Sequence, residues 1–557
     1  MTGNSGDPSK SEQSSEARGI DSKLSKEVQG AEVSSIQEDA MTEDEITTLH
    51  VACANGDVDA VRRFLKCGTD VDDKDDDGDT PLICAAASGH EDIARLLLKQ
   101  GASIDLDCDG WTALSRASEE GYDDVAQLLL ERGAQVDRPG PEGVTAMIAA
   151  CEAGNLNIIE MLLDYGAMID LVDETGDSLL ITAAENGHVE VVRLLVERGA
   201  TVDLFNNNGW TPLMSATENN HAEVVTVLLE KGANVNKHGA SGNTPLIIAS
   251  IHGSLEVARL LITNGAEVDA INTFRTSAFS TDRHRVPDTD RINDKKIALL
   301  LSKLRRPLIG NRPFFLPCTS TLITAVENGH AEVVRLLCES VAALDWREYR
   351  GWTVLLSAAE EGYTEIAAVL LEIGASVNKQ LPNGFNELLV ACENGHIKIV
   401  KLLFDKGASI DTVDDDSEYP LFVAAANGHR DIVKYLLENG ASTEMVTCSG
   451  WSPLMKAAEQ GHVSVVKASL KSKEANHFVN LQLPTGATAL NIACEYGQLD
   501  IVVRLVNHRS SLELADEEGY TQLITAAQLG YSDIVQFLVN QDAKLDAQLP
   551  SGKLAVT

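Results

Sequence analysis

Between Gly78 and Asp109 two short apolar clusters alternate with polar turns, in the run GDTPLICAAASGHEDIARLLLKQGASIDLDCD. The Ala-rich stretch after Thr80-Pro81-Leu82 predicts a helix that runs to Ser88 and stops at Gly89-His90. Thr80 suits its N-cap, and Pro81 suits the first helical position, where no backbone N–H is needed. Ile93, Leu96 and Leu97 recur at helical spacing and predict a second helix, ended by Gly101 as a left-handed residue. Neither helix can bury its apolar stripe alone, so the unit has to stack on copies of itself.

The copies are present. The opening glycine recurs at Gly110, Gly143, Gly176, Gly209 and Gly242, then at Gly351, Gly384, Gly450, Gly486, Gly519 and Gly552, mostly in steps of 33 residues. The glycine between the helices recurs in the same register, from Gly56 and Gly89 through Gly187 and Gly395 to Gly530. The shared pattern is Gly-x-Thr-Pro-Leu, Ala-Ala, Gly-His, Val-Val-x-Leu-Leu, Gly-Ala, with Thr211-Pro212-Leu213, Ala183-Ala184 and Gly187-His188 as good examples. This resembles the ankyrin repeat over about nine-tenths of the chain. The resemblance implies an all-α solenoid of stacked helix-turn-helix repeats with short β-hairpin loops, about 14 to 15 repeats in all.

Residues 1–45 hold no aromatic side chain and eleven acids against four bases, which reads as a disordered, acidic, Ser-rich tail. A first array is expected over residues 46–273. Its first unit lacks a clear leading hairpin, and Asn220 replaces an inter-helix glycine, which Asn can do because it tolerates the left-handed region. Over residues 274–317 the register fails. Arg275-Thr276-Ser277-Ala278-Phe279 stands where Gly-x-Thr-Pro-Leu belongs, but neither Ala-Ala nor Gly-His follows. The segment reads as a degenerate repeat with a basic insertion and linker, carrying Arg283, Arg285, Arg291, Lys295, Lys296, Lys303, Arg305, Arg306 and Arg312. Three readings stay open for it: a solvated loop separating two stacks, a contact with the chain's own acidic groove or a partner, and a nuclear import signal at Lys295-Lys296 and Arg305-Arg306. A second array is expected over residues 318–551, with Ser417 at an opening-glycine position and three extra residues near Lys473 to His477. Residues 552–557 begin an incomplete repeat, as expected of a fragment or a shortened isoform of something longer.

Charge narrows the partners. A net charge of −39 over 557 residues argues against a direct nucleic-acid or anionic-membrane binder, which needs an excess of Lys and Arg, and favours proteins with basic surfaces or segments. The chain has no apolar run of membrane length, and membrane insertion is not expected. Ten cysteines form no CxxC pair. Cys53, Cys151, Cys392 and Cys494 sit where other repeats carry a small residue such as Ala86 or Ala184, so packing explains them better than a metal or a disulfide. That usage suits a reducing compartment, and the expected location is the cytoplasm, with the nucleus second. The chain is expected to be monomeric.

No P-loop, HExxH, GxSxG, kinase set or dinucleotide-binding glycine motif occurs, so neither catalysis nor a cofactor is expected. His90, His188, His221, His330, His396, His429 and His462 stand one per repeat, too far apart to gather around one metal. Their expected job is a local hydrogen bond that fixes the turn between the helices.

Two features fall on the concave surface that the resemblance implies for partner binding. The residue after the opening glycine is Trp111, Trp210, Trp352, Phe385, Trp451 or Tyr520 in six repeats, and four of the five tryptophans occupy this slot. Aromatic side chains dominate interface energy, so the slot reads as partner contact, with packing against the neighbouring hairpin as the alternative. The second feature is a glutamate two residues before the inter-helix glycine: Glu119, Glu152, Glu185, Glu218, Glu327, Glu360, Glu393, Glu459 and Glu495. The helix dipole disfavours a carboxylate there by roughly 0.3–1 kcal/mol, so nine occurrences point to use, with solvation as the alternative. Asn236 and Asn378 end runs that resemble the ankyrin site of asparaginyl hydroxylation, although a structural hydrogen bond in the hairpin is the favoured reading. The function expected overall is a protein–protein scaffold or adaptor. The alternatives are a regulatory or targeting subunit of an enzyme and an elastic spacer.

Overall fold

The computed structural model describes residues 48–140, 143–272, 320–340, 352–472 and 475–545. The acidic tail, the basic segment 274–317 and residues 552–557 lie outside them. Among the described residues of the unit that begins at Leu49, fourteen helix pairs follow one another, from Leu49–Ala54 with Val58–Lys66 to Gln522–Gln528 with Ser532–Asn540.

Each pair forms for the reasons legible in its residues. Thr80 Oγ1 accepts from the Ile83 N–H at 3.3 Å, and Pro81 opens the helix Pro81–Ala87. The same cap recurs at Thr112, Thr145, Ser178, Thr211 and Thr244, and such a cap contributes about 1 kcal/mol to its helix. Asn220 does take the left-handed conformation, with φ 59°, and so does Ser417. The first helices carry alanines that are wholly buried, among them Ala85, Ala86, Ala183 and Ala184. Small side chains let consecutive first helices approach closely, so that Pro212–Glu218 packs between Leu179–Glu185 and Pro245–His252. The second helices close the other side with residues such as Val191, Val192 and Leu195. Cys53, Cys151, Cys392 and Cys494 are fully buried in this seam, and burial pushes the thiols of Cys53 and Cys494 up to about 12.

Two features differ from expectation. The loops contain no extended strands among the described residues, only isolated bridges such as Val172 with Ser178. Side chains take over the backbone N–H groups that a hairpin ladder would pair. Asp173 Oδ1 accepts from the Asp177 N–H at 2.8 Å, and Asn206 Oδ1 from the Trp210 N–H at 2.9 Å. The second difference concerns the expected separation of two stacks. Pro245–His252 packs directly on Thr321–Glu327, and Leu255–Thr263 on Ala331–Glu339. The Thr321 N–H donates to the Ala270 carbonyl at 3.2 Å, and His330 Nε2 to the Ile251 carbonyl at 2.9 Å. The helix pairs that flank residues 273–319 are therefore immediate neighbours in one stack.

Candidate partner-binding face

The glutamates stand at the ends of consecutive first helices, and hydrogen bonds from the following repeat fix their spacing. His188 Nε2 donates to the Glu152 carbonyl at 2.8 Å, His221 to Glu185 at 2.9 Å, His396 to Glu360 at 3.0 Å and His429 to Glu393 at 2.7 Å. Asn155 Nδ2 does the same for Glu119 at 3.0 Å, and the Tyr363 hydroxyl for Glu327 at 3.4 Å. The expectation of a local turn bond for these histidines is thus corrected: each bond spans 36 residues and ties one repeat to the one before. The ring can reach because the preceding inter-helix residue is glycine. A Cβ on Gly187 would lie 2.7 Å from the His221 ring, and one on Gly395 would lie 2.6 Å from His429.

Pinned in this way, the carboxylates feel one another. Partial burial first, then the charges of Glu119, Asp173 and Glu185, hold the Glu152 carboxyl above the usual carboxylate range. Burial, then Asp177, Glu218 and Asp173, do the same for Glu185. The run from Glu119 to Glu218 is therefore a single electrostatic row across four repeats. Ile251 interrupts it at the next repeat, and it resumes at Glu327, Glu360 and Glu393. Several of the glutamates have basic side chains close by, Glu218 among them, with His252 Nε2 3.9 Å from its carboxylate. Glu119 pairs with Arg116 at 2.9 Å, and Glu459 with Lys456 at 2.5 Å and with the Tyr496 hydroxyl at 3.4 Å. Glu495 is exposed in the repeat beyond.

The aromatic slot divides into three kinds of site. Phe385 is a core residue, only 7% exposed, and stands apart from the accessible aromatics. Trp111 and Trp451 are partly exposed, and each carries a cation over its ring, Arg116 at 4.4 Å and Lys456 at 5.2 Å. Trp210 and Tyr520 are partly exposed too, as is Trp352, whose indole Nε1 donates to Ser357 Oγ at 3.0 Å while its ring packs on the core. In the repeats of Trp111 and Trp451 the same basic side chain touches both the aromatic ring and the glutamate. In that of Trp210 the equivalent position is Ser215, which leaves the ring without a cation of its own repeat.

Asn236 and Asn378 are tied to the next repeat rather than within their own hairpin. Asn236 Oδ1 accepts from the Glu267 N–H at 2.9 Å and its Nδ2 donates to the Gly265 carbonyl at 3.1 Å. Asn378 repeats both bonds with Ser409 and Gly407, at 2.9 and 3.0 Å. Asp170 accepts the corresponding N–H from Thr201, so the position is an inter-repeat clip whichever acid or amide fills it.

A model of ankyrin repeats (3 copies) matches residues 49–140, 136–206, 201–272, 302–380, 388–479 and 468–548. The chain belongs to the ankyrin-repeat family. Curated relatives match only short stretches of this ankyrin-repeat chain. Protein phosphatase 1 regulatory subunit 27 of Mus musculus is 38% identical over 60 residues, 11% of this chain and 39% of that protein. E3 ubiquitin-protein ligase KEG of Arabidopsis thaliana is 35% identical over 89 residues, 15% of this chain and 6% of that protein. The ankyrin repeat-containing protein YIL001W of Saccharomyces cerevisiae is 35% identical over 69 residues, covering 12% and 14%. The human ASB11 ankyrin repeat domain, a crystal structure, shares 28% identity with a TM-score of 0.37, over 39% of this chain and 98% of its own. Among the described residues no helix is long and apolar enough to cross a membrane.

Proposed function

We propose that this ankyrin-repeat chain is a cytoplasmic scaffold or adaptor that performs no reaction of its own and binds protein segments rich in Lys and Arg along its glutamate row. One observation carries the reading. Side chains of the following repeats hold the Glu119, Glu152 and Glu185 backbone carbonyls at fixed spacing, although burial first and then neighbouring carboxylates raise the proton affinity of Glu152 and Glu185. A fold that needed only solvation at these positions would be served as well by uncharged polar residues. A cationic segment laid across the row would relieve the repulsion, with Trp210, which carries no cation of its own repeat, supplying apolar and cation–π contact. Affinity should fall as salt rises, because exposed charge pairs are screened within about 8–10 Å.

The test is a comparative pull-down from the protein's own cells at low and high salt, with the intact chain and with Glu152→Gln/Glu185→Gln/Glu218→Gln. Partners that bind the intact chain at low salt and are lost from the triple variant support the reading. A partner set unchanged by the variant refutes it. A second reading, a regulatory or targeting subunit of one enzyme, is favoured by the 60-residue similarity to a phosphatase regulatory subunit. It predicts one stoichiometric enzyme in the same pull-down rather than many partners.

A further inference from the structure

Two repeats of this chain hold a cation of their own between a tryptophan and a glutamate. Trp111 stands just ahead of the helix Ala113–Glu120, with Arg116 five residues beyond it and Glu119 eight. The Arg116 guanidinium lies 4.4 Å over the indole and donates to Glu119 at 2.9 Å. Trp451, Lys456 and Glu459 repeat the spacing at Pro453–Glu459, with the ammonium 5.2 Å over the ring and 2.5 Å from the carboxylate. An arginine in one repeat and a lysine in the other reach the same two groups, so the arrangement selects positive charge rather than one side chain. The indole face and the carboxylate attract the same head group, and together they hold it more firmly than either does alone.

The repeat of Trp210 has the same frame without the base. Thr211 caps Pro212–Glu218 with φ −100° and ψ 163°, against −98° and 166° at Thr112 ahead of Ala113–Glu120, so the backbone presents the two outer groups alike. Glu218 takes the place of Glu119, and Ser215 that of Arg116. The other aromatic of this loop, Phe205, has Lys237 5.3 Å over its ring. The base that approaches Glu218 is His252 of the following repeat, 3.9 Å away and a cation only when protonated. Trp352 also has a serine five residues on and Glu360 eight residues on, but it uses the serine itself. Its indole Nε1 donates to Ser357 Oγ at 3.0 Å and its ring packs on the core. Trp210 and Glu218 thus keep the frame of Trp111 and Trp451 while their own repeat supplies no charge to fill it.

We propose that Trp210 and Glu218, over the short side chain of Ser215, form the anchor site for one lysine or arginine side chain of a partner segment. The proposal rests on the reading of the glutamate row as a binder of cationic segments, and it names the point at which such a segment is fixed. The incoming head group takes the position that Arg116 and Lys456 take in their own repeats, over the indole face with its N–H groups directed to the Glu218 carboxylate. Ser215 is 5% exposed and short, which leaves the stem of the incoming side chain room along the helix. Glu185, one repeat earlier, already feels the Glu218 charge and adds to the attraction. At Trp111 and Trp451 the chain's own base competes with a partner. A segment lying along the row is therefore held in one register, with its anchoring base at Trp210.

The experiment fills the site with a base of the chain's own. Fluorophore-labelled hexa-arginine and hexalysine peptides are titrated with the full chain at about 50 mM salt. Ser215→Lys is compared with Gln127→Lys, which adds the same charge at an exposed position of a second helix. Ser215→Lys should weaken both peptides at least about tenfold, and Gln127→Lys less than about threefold. Arg116 and Lys456 show that the position takes a long base, and thermal melting checks that the variant folds. Indole N–H resonances read the site without relying on that variant. On titration with N-acetylarginine methylamide, a single-cation probe, the Trp210 signal should shift in the intact chain. The Trp111 and Trp451 signals should shift only after Arg116→Ser and Lys456→Ser. Equal losses from Ser215→Lys and Gln127→Lys, or an unmoved Trp210 signal, would overturn the anchor. If Glu152→Gln/Glu185→Gln still weakens the peptides in that case, the glutamate row survives without the anchor; if it does not, the row falls as well.

Discussion

Substituting Gly187 by Ala tests the inter-repeat clip quantitatively. Gly187 has φ +76°, a conformation that costs an L-residue about 1–2 kcal/mol. Its new Cβ would stand 2.7 Å from His221 Cε1 and Nδ1, so the ring must leave and its bond to the Glu185 carbonyl, 2.9 Å long, is lost. A hydrogen bond of this kind contributes about 0.5–1.5 kcal/mol net, which brings the expected loss to about 2–3 kcal/mol. Gly199 provides the control, since its φ is +100° and nothing lies within 4 Å of its Cβ position. Gly199→Ala should therefore cost only the backbone part, about 1–2 kcal/mol. The assay is amide hydrogen exchange across residues 179–197, because a long repeat array opens locally and a single global midpoint can hide the effect. Gly187→Ala should speed exchange there about 30- to 100-fold, at about 1.4 kcal/mol per factor of ten. In a His221→Ala background the same substitution should fall to the cost of the Gly199 control. Equal costs for Gly187→Ala and Gly199→Ala, or a cost indifferent to His221, would refute the reasoning.

Further expectations concern charge and packing. Burial lowers the His429 pKa, so the unfolded chain binds the proton more readily and this residue's stability contribution is lost as pH falls below about 6.5. His429→Gln, which copies the Gln498 that fills this place in a later repeat, should flatten that acid limb in thermal melts between about pH 7 and 5. Glu152 and Glu185 have raised pKa values, so their contribution falls as pH rises through the carboxylate range, and at neutral pH their charge opposes folding. Glu152→Gln/Glu185→Gln should then raise the melting temperature at neutral pH in low salt, and the gain should shrink at high salt. Phe385→Ala, in the core, should cost about 3–5 kcal/mol in urea unfolding, whereas Trp210→Ala should cost clearly less. Similar losses for the two would put Trp210 into the packing and out of the binding face.

Much of the fold is legible in the sequence because its structure is local. Thr80, Pro81, the Ala-rich first helix and the glycine after it specify each helix pair within about 33 residues, the length of one ankyrin repeat. The bonds between repeats are not legible in the same way. His221 and Asn236 read as turn residues because sequence neighbours suggest sequence-local partners, yet the first bonds back across 36 residues and the second forward across 29 and 31. The aromatic slot shows the same limit. Phe385 and Trp210 share a register position, and only the surrounding side chains decide that one is core and the other partly exposed. Direct packing across residues 273–319 is hidden too, since loss of the motif says nothing of how the flanking helices meet.

The most direct test of the binding face is a fluorescence-anisotropy titration of a labelled Lys/Arg-rich helical peptide with the full chain at about 50 and about 200 mM salt. Glu152→Gln/Glu185→Gln/Glu218→Gln is compared with Glu131→Gln/Glu160→Gln/Glu230→Gln, which removes three acids from second helices instead. A glutamate row that binds predicts at least about a tenfold loss of affinity for the first set and less than about twofold for the second, with the difference narrowing at the higher salt. Equal losses from the two sets would mean that the peptide sees only net charge, and the glutamate row would no longer stand as a site.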